Sequence, residues 1–319
     1  MHVLGIDAGS SKTVCQLADE RGAIISTTRG PGANLHTAGD AAVERVLRDV
    51  IADAIGERGL EPDAICVGMA GVDRADDTRV VRAIVSRVFA RSRVLVVNDA
   101  LIALAAGARD EPGIVIIAGT GSIVYGRNVR DEAARAGGWG HLIGDEGSGY
   151  WIGREALAAV MRYCDGRGPA TSLIDDVLRH FSVADISQLP RIVYDREQPR
   201  ISVAALGPIV EQASARGDGV AAEILDRAAE ELVRAARSVV EHLRMRDDDF
   251  VFYLAGGVFR VVPSIAQALP RLLLEIASHA ETEILYEEPA MGAIWLALSD
   301  ASGAARIPRY LAPAAPKRS

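Results

Sequence analysis

Two turns of the sequence combine glycine with hydroxyl side chains, and each follows a short apolar segment. The first spans residues 7–13 (DAGSSKT) and the second spans residues 119–122 (GTGS). Backbone N–H groups and hydroxyls in such turns can bind phosphate oxygens, and Asp7 at a strand end can hold hydrated Mg²⁺. Each turn alone is equally typical of an ordinary hairpin. Because two of them occur about 110 positions apart, together they predict a site for the phosphates of a nucleotide.

An amide and a carboxylate, Asn98 and Asp99, follow the apolar segment Val94–Val97. The carboxyl end of a strand faces the ligand crevice in open α/β sheets, so Asp99 could take the proton from an attacking hydroxyl. Asn and Asp also favour the N-cap of a helix. Taken alone, the N-cap interpretation is favoured, and the two neighbours could serve both purposes.

A loop at residues 137–148 (GGWGHLIGDEGS) contains five glycines, a Trp, a His and two acids. Glycine loses much conformational entropy on folding, and such loops usually let a ligand approach closely. The Trp139 ring offers an apolar face, while Asp145 and Glu146 offer acceptors for hydroxyls, which suits a sugar. His141 is expected to be a structural hydrogen-bonding residue, because a metal site from His141 and the two acids would lack a second His.

Another pair of glycines, Gly256 and Gly257, follows the apolar segment Phe250–Leu254. Without side chains, this pair could lie flat against an adenine ring. Two glycines are also typical of a tight turn from a strand into a helix. Taken alone, the turn interpretation is favoured.

The elements around these motifs alternate in a pattern typical of α/β proteins. Three strands joined by short turns open the chain, at Val3–Ile6, Thr13–Leu17 and Ala23–Thr28. There follow helix Ala41–Ile55, strand Ile65–Met69, a helix around Thr78–Phe89 and strand Val94–Val97. A second series has strands Ile114–Ala118 and Ile123–Gly126, a mostly helical stretch at 150–215, helix Val220–Met245, strands Phe250–Leu254 and Ile284–Tyr286, and helix Ala290–Leu298. A glycine-hydroxyl turn joins two strands in each series, which is a weak repetition of architecture.

Composition limits the classes of function. The chain has 319 residues, 49% of them apolar, and a formal charge of −8. Two domains with sizeable cores are therefore expected, and a basic surface for nucleic acid is not. The three cysteines form no CxxC pair and no disulfide framework. Neither a signal peptide nor a bilayer-spanning apolar run is recognisable, so we expect a cytoplasmic protein without membrane partners.

The order of the motifs resembles that of the sugar kinase, Hsp70 and actin superfamily: a phosphate turn, a catalytic Asp, a second phosphate turn and an adenosine-binding Gly-Gly. The sequence more closely resembles the BadF/BadG/BcrA/BcrD ATPase family and, within it, the N-acetylglucosamine kinases. Residues 137–151 (GGWGHLIGDEGSGYW) are the most specific stretch. The resemblance runs from residue 1 to about residue 298.

This resemblance implies an α/β fold of two ribonuclease-H-like (actin-like ATPase) domains with an ATP cleft between them. The first domain would span residues 1–113 and take back a C-terminal helix at 289–304. The second would span residues 114–288, and residues 305–319 would form a tail. The family also implies a homodimer.

The resemblance further implies roles for individual residues. Asp99 would be the catalytic base, and Asp7 would organise Mg²⁺ through water, with ATP as the phosphoryl donor. Phosphates would be bound by Gly9, Ser10, Ser11, Lys12, Gly119, Thr120, Gly121 and Ser122. Adenosine would be flanked by Gly256 and Gly257. The sugar would be contacted by Asn34, Asn98, Asp99, Gly138, Trp139, Asp145 and Glu146.

The implied function is phosphoryl transfer from ATP to an amino sugar, N-acetylglucosamine giving its 6-phosphate. The sequence departs from the family where Ser10 and Ser11 replace Gly-Thr. It also departs where Ile123 replaces the Asn of N-acetylglucosamine kinases, which keeps glucosamine, N-acetylmuramic acid, N-acetylmannosamine and glucose open as acceptors.

Two other classes of function are alternatives. One branch of the family consists of ATPase activators of acyl-CoA reductases and dehydratases, which bridge an iron–sulfur cluster with two cysteines from each subunit. Only Cys164 lies in the second predicted domain, which disfavours that branch. A non-catalytic, nucleotide-dependent binding module is the other alternative, but it would not need the loop that contains Trp139.

Overall fold

The computed structural model describes residues 1–9, 11–33, 39–72, 75–194 and 199–311. The chain divides into two compact units. Within the described residues, the first unit comprises 1–113, 127–132 and 285–310, and the second comprises 114–126, 133–284 and residue 311. Residues 127–132 and 305–310 fall in the first unit, whereas the sequence analysis gave the former to the second domain and the latter to the tail. The two segments are joined by a hydrogen bond in which Arg309 donates to Glu132 over 2.6 Å.

The first unit is built on a five-stranded sheet with the order β3-β2-β1-β4-β5. The strands are β1 (His2–Ala8), β2 (Lys12–Asp19), β3 (Ile24–Pro31), β4 (Ala64–Met69) and β5 (Arg93–Asn98). The first three form an antiparallel meander, and β4 pairs in parallel with both β1 and β5. The predicted meander and the predicted parallel pairing after it are confirmed. Most strand ends extend one to three residues beyond the prediction, but β3 begins one residue later and β4 ends where predicted.

In the part of this unit that the structure describes, three helices follow the strands of the sheet: α1 (Asp40–Ile55), α2 (Ala75–Val88) and α3 (Asp99–Ala108). A short 3₁₀ turn, Gly56–Arg58, extends α1. The apolar stripe of α1 is buried at Val43, Leu47, Val50 and Ile51, in the spacing expected of an amphipathic helix. It packs in one core with β1, β2 and β4.

A second sheet has six strands in the order β10-β9-β6-β7-β8-β11. They are β6 (Gly113–Ala118), β7 (Ser122–Arg127), β8 (Glu132–Gly137), β9 (Val251–Ala255), β10 (Glu281–Ile284) and the two-residue edge strand β11 (Arg309–Tyr310). Apart from β11, this sheet repeats the order of the first, with three consecutive strands and then two later ones beside the first of them.

Two strands of the second sheet differ from expectation. The sequence analysis missed β8 because its residues, EAARAG, have low strand propensity, and the pairing with β7 overrides that preference. The strand expected at Ile284–Tyr286 lies earlier, at Glu281–Ile284, where Glu281 pairs with Val251 in a parallel register. The residues of this strand are mostly polar and exposed, so a search for apolar segments does not identify it.

The helices of the second unit cover the apolar face of its sheet. They are α4 (Gly149–Cys164), α5 (Leu173–His180), α6 (Leu189–Val193), α7 (Pro199–Ala204), α8 (Gly207–Ala215), α9 (Gly219–Leu243), α10 (Val258–Val261) and α11 (Pro263–Leu274). The longest, α9, begins at an Asp218 side chain that accepts from two backbone N–H groups, and it ends at Arg244 in the left-handed conformation.

The last helix, α12 (Pro289–Ala301), lies in the first unit and packs on α3 and β1. Two glycines allow this close approach. A Cβ at Gly5 would overlap the Ala290 carbonyl oxygen, and a Cβ at Gly292 would overlap the Ile102 carbonyl oxygen. Among the described residues, no helix is both long and apolar enough to cross a bilayer.

Candidate active-site residues

The first phosphate turn joins β1 to β2 in the first unit. The Gly9 N–H donates to the Lys12 carbonyl oxygen over 3.0 Å, and the Gly9 carbonyl accepts from the Ala33 N–H over 3.0 Å. Ser11 and Lys12 are exposed. Ser10 lies outside the described residues. The turn is therefore braced by its own backbone while its described side chains remain open to solvent.

A carboxylate that the sequence analysis missed holds the cation of this turn. Glu288, the N-cap residue of α12, accepts from Lys12 Nζ over 3.1 Å and from Arg29 Nη2 over 3.1 Å. Burial opposes ionisation of Glu288, but Lys12 and Arg29 outweigh it and hold the pKa of this carboxyl below its usual range. The acidic pair that precedes Pro289 in the sequence was the available signal.

Two carboxylates stand at the ends of strands on the same edge of the first sheet. Asp7 is nine-tenths buried near the end of β1, and burial, followed by the nearby Asp99, raises its pKa to about 7. Lys12 opposes that increase, and Glu288 adds to it. Asp99 is half-buried and begins α3 directly after β5. Negative charge is thus concentrated beside the first phosphate turn.

The neighbour of Asp99 has the structural role that the sequence favoured. The Asn98 side chain accepts from the Ala100 N–H over 2.9 Å and caps α3. This cap fixes where the helix begins, so Asp99 occupies its first turn, at the carboxyl end of β5. The N-cap interpretation therefore holds for Asn98 and leaves the carboxylate of Asp99 a position suited to chemistry.

The residues around Asp7 fit a hydrated Mg²⁺ ion. Within the described part of the chain, no three His, Cys, Asp or Glu side chains gather into a metal cluster. Mg²⁺ usually keeps several waters and binds one or two carboxylates plus substrate phosphates, so it needs no such cluster. A dication would also favour the ionised carboxylate of Asp7, against the burial and the neighbouring Asp99 that raise its pKa.

The second phosphate turn joins β6 to β7 in the second unit. The Gly119 N–H donates to the Gly121 carbonyl over 2.9 Å, and the Gly119 carbonyl accepts from the Gly149 N–H over 2.8 Å. The Ser122 hydroxyl donates to the Glu146 carbonyl over 2.7 Å. The turn, including the half-buried Thr120, is therefore bonded to the glycine-rich loop that follows β8.

Asp145 in that loop turns inward. Its φ of 61° is left-handed, and its side chain is only 4% exposed. One carboxylate oxygen is 3.4 Å from the Ser122 N–H, and the other accepts from Arg200 over 2.9 Å. The neighbouring Glu146 side chain is exposed. No local pattern in the sequence pointed to Arg200, the second residue of α7, which lies 55 positions after Asp145.

Two further residues that are predicted to contact the sugar, Gly138 and Trp139, are exposed on the glycine-rich loop after β8. Trp139 is 59% exposed, with the Arg135 guanidinium 5.1 Å from its ring centre. Gly138 is exposed, and a Cβ there would meet the Ile123 side chain. His141 packs edge-on against Tyr150, 5.0 Å between ring centres, in keeping with a structural role. Asn34 lies outside the described residues.

The two glycines after β9 differ in backbone conformation and in the space around them. Gly256 has a φ of 108°, and a Cβ there would overlap the backbone of Ala118 at the end of β6. Gly257 has a φ of −68°, and a Cβ there would meet nothing within 4 Å. Glycine is therefore required at position 256 by the turn itself, whereas position 257 leaves open space.

Each unit thus assembles part of the predicted set. The first unit brings together Asp7, Gly9, Ser11, Lys12, Asn98 and Asp99, with Glu288 added. In the second unit, contacts join Gly119, Gly121 and Ser122 to Gly138, Asp145 and the Glu146 backbone, with Arg200 added. Gly256 meets the same β6 end at Ala118.

Comparison with known proteins agrees with these motifs. A sequence model of the BadF/BadG/BcrA/BcrD ATPase family matches residues 4–297. An N-acetylmuramic acid/N-acetylglucosamine kinase from Clostridium acetobutylicum is 35% identical, over 94% of this chain and 99% of its own. An N-acetyl-D-glucosamine kinase from Dictyostelium discoideum is 32% identical, over 93% and 97%. A solved structure of a candidate N-acetylglucosamine kinase from Chromobacterium violaceum has a TM-score of 0.74 at 25% identity, over 93% and 98%.

The repeated strand order and this structural similarity confirm the predicted class, an α/β fold of two ribonuclease-H-like domains as in actin-like ATPases. The chain belongs to the BadF/BadG/BcrA/BcrD ATPase family, and it is an ATP-dependent phosphotransferase.

Substitutions at Gly256 and Gly257 separate an effect on folding stability from an effect on ligand binding. Gly256→Ala should lower the free energy of unfolding by about 1–3 kcal/mol or more, because alanine disfavours a φ of 108° and its Cβ would overlap Ala118. Gly257→Ala should change stability by less than about 1 kcal/mol. Urea unfolding measures both effects. If Gly257 flanks adenosine, Gly257→Ala should nevertheless weaken ADP binding in calorimetry, and unchanged ADP affinity would remove it from the site.

Proposed function

We propose that this enzyme transfers the γ-phosphoryl group of ATP to the 6-hydroxyl of an amino sugar, with N-acetylglucosamine as the favoured acceptor. The observation that carries the proposal is the pair of carboxylates beside the first phosphate turn, Asp99 at the end of β5 and the buried Asp7 at the end of β1. The kinase relatives named above support an amino sugar as the acceptor.

The role proposed for each residue follows from the charge and chemistry of its side chain. The carboxylate of Asp99 would accept the proton of the attacking hydroxyl. Backbone N–H groups and hydroxyls of the two turns, together with Lys12, would hold phosphate oxygens. Asp7 would hold Mg²⁺ through water, and the ion would neutralise developing phosphate charge. The ring of Trp139 would offer an apolar face to the sugar.

Catalysis of this kind depends on positioning and charge neutralisation more than on covalent chemistry. The braced turns suit that requirement, because backbone hydrogen bonds at Gly9 and Gly119 fix the shape of each turn before substrates arrive. The cytoplasmic location, which was expected from the sequence, and the homodimer, which the resemblance implies, remain part of this proposal.

The activator branch of the family fits the described residues less well. Cys15 and Cys66 are buried, and Cys164 is the one exposed cysteine of the three. A cluster that needs two accessible thiols from each subunit would find only one here. The exposed Trp139 also favours an acceptor with an apolar ring face over a protein partner alone.

ADP release with Mg-ATP against a panel of sugars tests the function. The panel contains N-acetylglucosamine, N-acetylmuramic acid, glucosamine, N-acetylmannosamine and glucose, with a reaction lacking sugar as the control. We expect turnover with N-acetylglucosamine and little without sugar. Sugar-independent turnover, or no turnover with any sugar, would contradict the proposal.

Replacement of the proposed base tests the mechanism. Asp99→Asn should lower kcat by about 10²–10⁴-fold, because an amide cannot take the hydroxyl proton, while ATP affinity stays nearly unchanged. Asp76→Asn on α2 is the matched control, since Asp76 is exposed. Steady-state kinetics and calorimetric ATP binding give the two readouts. Normal turnover in Asp99→Asn would remove Asp99 from the mechanism.

The proposed magnesium role of Asp7 has a separate test. Asp7→Asn should raise the Mg²⁺ concentration for half-maximal activity about 10- to 100-fold. The amide should not reduce the stability of the metal-free protein, because burial and Asp99 already oppose the charge on Asp7. Mg²⁺ titration at fixed ATP and thermal unfolding measure these effects. An unchanged Mg²⁺ requirement would refute the role.

A further inference from the structure

An ion pair between a half-buried arginine and a buried carboxylate lies directly against the second phosphate turn. Arg200 Nη2 donates to Asp145 Oδ2 over 2.9 Å, and the Asp145 side chain is only 4% exposed. A Cβ built on Gly121 would lie 2.8 Å from Asp145 Oδ2 and 2.9 Å from Arg200 Nη2. Both members of the pair therefore occupy the space beside Gly121, where the turn has no side chain.

The carboxylate of Asp145 also faces a donor of the turn. Its Oδ1 is 3.4 Å from the Ser122 N–H, and the Ser122 hydroxyl bonds to the next loop residue, Glu146. An uncompensated negative charge in this position would repel the phosphate that the turn is expected to bind. It would also be costly to bury, because an unpaired carboxylate loses its hydration.

Arg200 supplies the missing positive charge. Its side chain is 31% exposed, so the guanidinium borders solvent while it pairs with Asp145. Its Nε is buried, and none of the described residues accepts a hydrogen bond from it. The guanidinium thus keeps donor capacity beyond the pair with Asp145.

We propose that Arg200 is a positioning residue of the second phosphate turn, which neutralises Asp145 and keeps its carboxylate against Ser122 so that the turn accepts anionic phosphate. This inference rests on the proposed function only in taking the turn as a phosphate site. The resemblance gives Asp145 to the sugar. The contacts described here place the same carboxylate against the turn that is proposed to bind the nucleotide phosphates.

A double-mutant cycle on ATP binding tests the proposal without any sugar. Arg200→Gln should weaken ATP binding about tenfold or more, because it leaves Asp145 charged and unpaired beside the turn. Asp145→Asn in the same chain should restore most of that loss, because the amide carries no charge. Arg200→Lys should bind ATP better than Arg200→Gln, since it keeps the charge. Arg234→Gln on α9 is the control, because Arg234 is exposed and pairs only with Glu230 and Glu231 of its own helix among the ion pairs of the described residues.

Calorimetry gives the ATP affinities, thermal unfolding reports whether each variant is folded, and kinetics separates the KM for ATP from the KM for sugar. Additive effects in the double variant, or a change confined to the sugar KM, would overturn the proposal. If Arg200→Gln does not fold, Arg200→Lys and the double variant carry the same comparison. Failure of the proposed function would appear separately, as a wild-type enzyme that binds ATP but phosphorylates no sugar.

Discussion

The concentration of negative charge at one edge of the first sheet is the constraint on which the site depends. Asp7 is buried at the end of β1, beside Asp99 and within reach of Glu288, and its pKa is raised to about 7 as a result. Such an arrangement is costly unless cations stabilise it. Lys12 supplies one positive charge, and a hydrated Mg²⁺ ion would add two more.

The same principle recurs in the second unit with different residues. There Arg200 pairs with Asp145, as Lys12 pairs with Glu288 in the first. In both units, a glycine-hydroxyl turn lies beside an ion pair whose two members are far apart in the sequence. The positive member of each pair offsets a carboxylate that would otherwise repel the phosphate proposed to bind at the turn.

The sequence predicted most of the strands and the long helices because their apolar residues repeat with the period of each element. It missed β8, whose alanines and charged residues become a strand only through pairing, and it displaced the polar strand β10. The sequence analysis did not identify Glu288 and Arg200 for another reason. Glu288 contacts Lys12, 276 positions away, and Arg200 contacts Asp145, 55 positions away. No local spacing in the sequence indicates such contacts.

The packing of α12 has a consequence for synthesis of the chain. The face of β1 at Gly5 is covered by the backbone of Ala290, and α3 is covered at Ile102 by Gly292. The members of these two pairs lie 285 and 190 positions apart in the sequence (290 − 5 and 292 − 102), so the first sheet leaves the ribosome before α12 has been made. During translation, the surfaces of β1 and α3 that α12 covers in the folded protein therefore stay uncovered until the C-terminal helix is complete.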